Sequence, residues 1–99
     1  MKDLLASQPS AILQRGSTAH AWPSELDRVA IWQAPDQLMV AIYTKSSGMS
    51  HIRQFVDVPG DVVLFAQQVS RWLREIPLFV GYEVASGVAA AIAVRASVP

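Results

Sequence analysis

"VAIWQAPDQLMVAIYTKSSGMSHIRQFVDV", Val29 to Val58, is the stretch whose reading decides the fold. "VAIWQ" is rich in β-branched and aromatic residues, types that fit a pleated and half-buried surface. Pro35 and Asp36 in "APDQ" then favour a tight turn, so "LMVAIYTK" reads as a second strand of a hairpin. In that strand Leu38, Val40 and Ile42 fall on one face and Met39, Ala41 and Tyr43 on the other. Both sets are largely apolar, which predicts a strand covered on both sides. "SSG", Ser46 to Gly48, supplies the next turn, and "MSHIRQFVDV" a third strand. Its polar members His51 and Arg53 alternate beside Met49 and Phe55, the mixture of an edge or half-exposed face.

Downstream, Val62, Phe65, Val69, Trp72, Leu73 and Ile76 recur at spacings of three and four and predict an amphipathic helix across the sheet. Asp61 is placed to cap it, Pro77 marks its end, and Gln67, Gln68, Arg71, Arg74 and Glu75 form its solvated side. "IPLFVGYEVASGVAAAIAV", Ile76 to Val94, holds a single charge in nineteen residues, but Pro77, Gly81, Glu83, Ser86 and Gly87 interrupt it. That pattern predicts a buried element of a soluble fold rather than a membrane span. Val84, Val88, Ile92 and the alanine run favour a C-terminal helix after a strand at "LFVGYE"; a hairpin turned at Ser86 and Gly87 is the alternative. The alanines permit close approach of another element, which suits a buried or intersubunit position.

Upstream, Leu4, Leu5 and "AILQR" suggest short helical turns, with Ser10 as an N-cap and Gly16 as a stop. "GSTAHAWPSELD", Gly16 to Asp27, reads as a loop carrying Trp22. Residues 1–27 are therefore expected to be loosely organised and residues 28–99 to hold the sheet and helices of a single domain. The fold class is α+β: an antiparallel sheet of three or four strands, one long amphipathic helix and an apolar C-terminal helix.

Composition narrows the function. Hydrophobic residues are 52% of the chain and charged residues 16%, against about 25% charged in an average domain. A small domain has much surface for its volume, so a share of this apolar surface is expected to be covered by another protein or a second copy. Eight basic and eight acidic residues balance, which gives no field to attract nucleic acid or an anionic membrane. The absence of cysteine excludes disulfides, thiolate metal sites and thiol nucleophiles, in keeping with a reducing cytoplasm. The start, "MKDLLASQPSAIL", has Asp3 beside Lys2 and is interrupted by Pro9, so it reads as mature protein and not as a signal peptide.

Chemistry is sparse. His20 and His51 are dispersed, with no metal-binding spacing, and no motif calls for a metal or cofactor. "KSSGMSH" is the densest reactive cluster, and Ser46, Ser47, Ser50 and His51 are the place to look for a ligand or for a site formed between protomers. It lacks a nucleophile elbow and phosphate-loop glycine spacing, and is most simply a hairpin turn. Glu25 with Asp27 and Asp57 with Asp61 are close pairs, read as solubility and helix capping. The aromatics carry more information: Trp22, Trp32, Tyr43 and Arg53 are candidates for a protein-binding surface, and core positions for Trp32 and Tyr43 weigh equally.

The order of elements in "VAIWQAPDQLMVAIYTK … SHIRQFVDVPGDVVLFAQQVSRWL" resembles that of some small phage-encoded inhibitors of CRISPR surveillance complexes. The resemblance covers Val29 to Leu73, is one of architecture, and carries over no functional residue. It implies a non-catalytic inhibitor that occupies a surface of a larger bacterial complex. The balanced charge departs from acidic DNA mimics and so implies protein contact.

Overall fold

Apolar alternation and turn chemistry produce four antiparallel strands in the computed structural model, which describes residues 7–16, 22–34, 37–56, 58–79 and 82–97. They are β1 (Ala11–Leu13), β2 (Leu26–Ala34), β3 (Gln37–Thr44) and β4 (Gly48–Val56), ordered β1-β2-β3-β4. Two helices follow, α1 (Val62–Leu73) and α2 (Tyr82–Ser97), so the class is α+β. The C-terminal segment is a helix and not a hairpin.

β2 and β3 pair Val29 with Ile42, Ile31 with Val40 and Gln33 with Leu38, which directs the larger aliphatic side chains to the face the helices cover. β3 and β4 pair Leu38 with Phe55, Val40 with Arg53 and Ile42 with His51. The β3–β4 turn occupies Lys45 to Ser47, and Gly48 after it has a φ of 69°, a conformation that costs a side-chain-bearing residue energy. The Pro35–Asp36 turn lies outside the described residues, but the pairing of Ala34 with Gln37 confirms the hairpin.

The N-terminal reading needs correction. Ser10 does not cap a helix: its backbone N–H donates to the Ile31 carbonyl at 2.7 Å and its Oγ accepts from the Gln33 N–H at 3.0 Å. "AIL" is thereby drawn onto β2 as a fourth strand, a non-local pairing that outweighs the local helical signals. Trp22 is buried in the main core, so the segment before residue 28 contributes to the domain's interior.

α1 begins where expected. Asp61 is extended, and its Oδ1 accepts from the Val63 N–H at 2.8 Å and the Leu64 N–H at 3.5 Å, satisfying two orphan donors of the first turn. Phe65, Val69, Trp72 and Leu73 are buried, while Gln67, Gln68, Arg71, Arg74 and Glu75 are exposed. The expected strand at "LFVGYE" does not form among the described residues. Successive turns continue past α1 instead, with Ile76 N–H bonded to the Leu73 carbonyl and Phe79 N–H to the Ile76 carbonyl, and Tyr82 already opens α2.

α2 lies centrally, packed against α1 and touching β1 and β2. Its small buried residues Ala85, Ala89 and Ala93 allow the close approach, and Val88 and Ile92 fill the space between. α1 reaches the sheet mainly at Phe55 of β4, which meets Phe65 edge-on at 5.4 Å and Trp72 at 5.9 Å. Both helices therefore cover one face of the sheet and leave the other without a helix.

Candidate functional site

The helix-free face is built by the alternate residues of the four strands. Ile12 of β1, Arg28, Ala30 and Trp32 of β2, Met39, Ala41 and Tyr43 of β3, and Ile52, Gln54 and Val56 of β4 occupy it by register. Met49 joins them because it pairs with Tyr43 across an irregularity that leaves Ser50 without a partner of its own. At the centre, Ala30 and Ala41 are small, and Trp32 packs with them, flanked by Met39 and Tyr43. Trp32 is only 4% exposed although no helix covers it, and its indole N–H donates to the Ser7 carbonyl at 3.0 Å. A second, thin apolar layer thus fills the middle of this face.

Around that centre the face stays open. Among the described residues eight large apolar side chains are exposed, and four of them, Ile12, Met49, Ile52 and Val56, belong to this one face. Only Arg28 adds charge to it by register: its guanidinium stacks over the Tyr43 ring at 4.1 Å and pairs with Asp27 at 2.6 Å. With the three-residue β1 at the other end of the order, β4 is the long edge of the sheet. Every residue of it except Phe55 is exposed, and it contains no proline or lysine to blunt pairing with another chain.

The four aromatic and cationic residues singled out as a protein-binding surface are not brought together. Trp32 and Tyr43 share the helix-free face, Arg53 lies on the helix side beside Phe55, and Trp22 is inside the main core. Trp22 is held there by an indole hydrogen bond to the Leu26 carbonyl at 2.9 Å, so folding back satisfies both its ring and its N–H. Arg53 stacks on Phe55 at 5.1 Å. The signal that marks the open face is a different one: apolar Met49, Ile52 and Val56 along β4, a strand whose mixture of polar and apolar residues reads as an edge or half-exposed face and which is an edge of the sheet.

Ser46, Ser47, Ser50 and His51 are all exposed. Ser46 and Ser47 belong to the hairpin turn, where the Ser47 N–H donates to Thr44 Oγ1 at 3.1 Å. Ser50 and His51 are hydrogen-bonded, with Oγ and Nδ1 3.0 Å apart. The Ser50 Oγ also lies 3.4 Å from the Ile42 carbonyl. His20 and Asp57 lie outside the described residues; among those described, no group of three or more acidic or histidine side chains gathers for a metal.

Open grooves lie elsewhere among the described residues, three of them as follows. One of about 370 Å³ runs between α1 and α2, lined by Gln67, Ser70, Arg71 and Ser86 among others. The second, about 330 Å³, lies at Pro23, Glu25 and Leu78, and the third, about 240 Å³, at Val58, Gly60 and Ala96. The seryl cluster lines none of the three. Among the described residues no helix is long and apolar enough to cross a membrane.

No protein-family model, curated protein or solved structure matches this chain.

Proposed function

We propose that this chain is a non-catalytic protein-binding module that acts through the helix-free face of its sheet and the adjoining β4 edge. Such a module works by occupying a surface, the action by which a small inhibitor blocks a larger bacterial complex. The observation that carries the reading is the convergence of Ile12, Met49, Ile52 and Val56 on one face around Trp32, next to a nine-residue strand whose outer edge has no neighbouring strand among the described residues. Exposed apolar residues scattered singly are ordinary on any monomer; grouped on one face beside an open edge, they match the apolar centre of a protein interface.

Charge supports the same reading. With eight cations and eight anions the chain has no long-range steering toward a polyanion, so recognition depends on shape and apolar contact. The experiment is capture of the partner on immobilised protein, repeated with Met49→Asp, Ile52→Asp and, as a distant control on α1, Gln68→Asp. Loss of the partner with the two β4 variants and retention with the control is the expected result. Equal retention by all three would overturn the proposal.

A further inference from the structure

We infer that the groove between α1 and α2 is a binding site for a small amphiphilic carboxylate, a molecule with an apolar body and one carboxylate head. The groove holds about 370 Å³, a size that falls among small-molecule sites. Val63, Ala66, Gln67, Ser70, Arg71 and Arg74 form one stripe of α1 along it, and Ser86 joins them from α2. The groove belongs to the helical layer and not to the face proposed for the protein partner, and it stands on separate observations.

Two hydroxyls single out this groove. Ser70 is 7% exposed and its Oγ has no hydrogen-bond partner; the Oγ of Ser86 is likewise shielded and unpartnered among the described residues. A helical serine commonly returns a bond to the carbonyl four residues earlier, and Ser70 does not make that bond to Ala66. A buried hydroxyl left unsatisfied costs free energy, and such groups are few in a folded chain. Here two of them line one groove from two helices, where a single acceptor from a ligand satisfies both. A serine side chain has one torsion that sets its oxygen, so a step between staggered rotamers turns either hydroxyl toward that acceptor.

The rest of the lining sets the chemistry. Val63, 60% exposed, and Ala66 make one end of the stripe apolar, while Arg71 and Arg74 make the other end cationic. Among the described residues no acidic side chain lines the groove, so its charge favours an anion. A carboxylate seated between Arg71 and the two serines accepts from the guanidinium with one oxygen and from the hydroxyls with the other, and its charge strengthens each bond. From there the apolar body runs toward Val63. Eight residues at a rise of about 1.5 Å separate Arg71 from Val63, a span of about 12 Å that suits a medium-chain fatty acid better than acetate or a long-chain lipid. An open groove with few polar contacts gives a dissociation constant on the order of 0.1–1 mM.

Titration of the full chain with octanoate, followed by amide chemical shifts, tests the site. The shifts should centre on Ser70, Arg71 and Ser86, and acetate and octan-1-ol should each bind at least about tenfold more weakly. Arg71→Gln should weaken octanoate about tenfold, whereas Arg95→Gln, at an exposed arginine in the last turn of α2, should leave it unchanged. Ser70→Ala should bind octanoate severalfold more weakly while melting at a higher temperature than the parent, a pairing of lost affinity with gained stability that a purely structural serine does not give. Octan-1-ol binding as well as octanoate, shifts centred on β4, or an affinity unchanged by Arg71→Gln or by Ser70→Ala would overturn the inference. So would the absence of any shift at about 10 mM octanoate, tenfold above the weakest expected constant. Ile52→Asp, which tests the protein-binding face, should bind octanoate like the parent, so that failure of one reading is distinguished from failure of the other.

Discussion

Replacing Phe55 by alanine tests whether one side chain fastens the edge strand to the helical layer. Phe55 is the only buried residue of β4, and it makes edge-on contacts with Phe65 at 5.4 Å and Trp72 at 5.9 Å. Truncating a buried phenylalanine typically costs about 3–5 kcal/mol, through lost transfer free energy and the cavity left behind. At about 4–8 °C per kcal/mol for a domain of this size, the melting temperature should fall by about 12–40 °C. Phe55→Leu keeps most of the apolar volume and forfeits the ring geometry, at about 0.5–1.5 kcal/mol per aromatic pair. Val56→Ala, one residue on and 62% exposed on the opposite face, should change stability by no more than about 0.5 kcal/mol. Guanidinium titrations followed by tryptophan fluorescence and by circular dichroism give all three values. A Phe55→Ala loss below about 1 kcal/mol, or one equal to that of Val56→Ala, would refute the account of how α1 meets the sheet.

Three further outcomes follow from particular contacts. Asp61→Ala should cost about 1 kcal/mol by orphaning the first-turn amides of α1, with Asp61→Asn recovering most of it in the same titration. Ser70→Ala should raise stability by roughly 0.5–1.5 kcal/mol, because this hydroxyl is buried with no partner among the described residues and alanine is the better helix former; a loss of stability would show that the hydroxyl is bonded in solution. Trp22→Phe keeps a ring in the core but leaves the Leu26 carbonyl without its indole donor, for a loss of about 1–3 kcal/mol measured by calorimetry.

Much of this architecture can be read from residues near one another in the chain. Alternating apolar residues and turn formers between Val29 and Val56 define three strands, and the three-and-four spacing from Val62 to Leu73 defines α1. What stayed hidden depends on distant partners. β1 exists because Ser10 and "AIL" bond to β2, and three residues are too few for periodicity to reveal. The short apolar run after Pro77 suits a strand as well as the turns that carry the chain into α2, and only the tertiary position decides. Trp22 and Trp32 look alike in sequence, yet one enters the main core and the other fills the space over Ala30 and Ala41, each directed by a single carbonyl acceptor.

Composition suggested more apolar surface than one body of this length can enclose. The structure absorbs most of it by using both faces of the sheet, with a helical layer on one and the Trp32 layer on the other. The total accessible surface of 5977 Å² is close to the roughly 5,500 Å² expected of a monomer of this mass. What distinguishes the surface is where the remaining exposed apolar side chains gather, with Ile12, Met49, Ile52 and Val56 on one face, and not their amount.

Amide hydrogen exchange compared between the free chain and its associated state tests that claim most directly. The account predicts slowed exchange along β4 on association, with the exposed side of α1 unchanged. Protection confined to the groove between α1 and α2, with β4 exchanging as it does in the free chain, would contradict it.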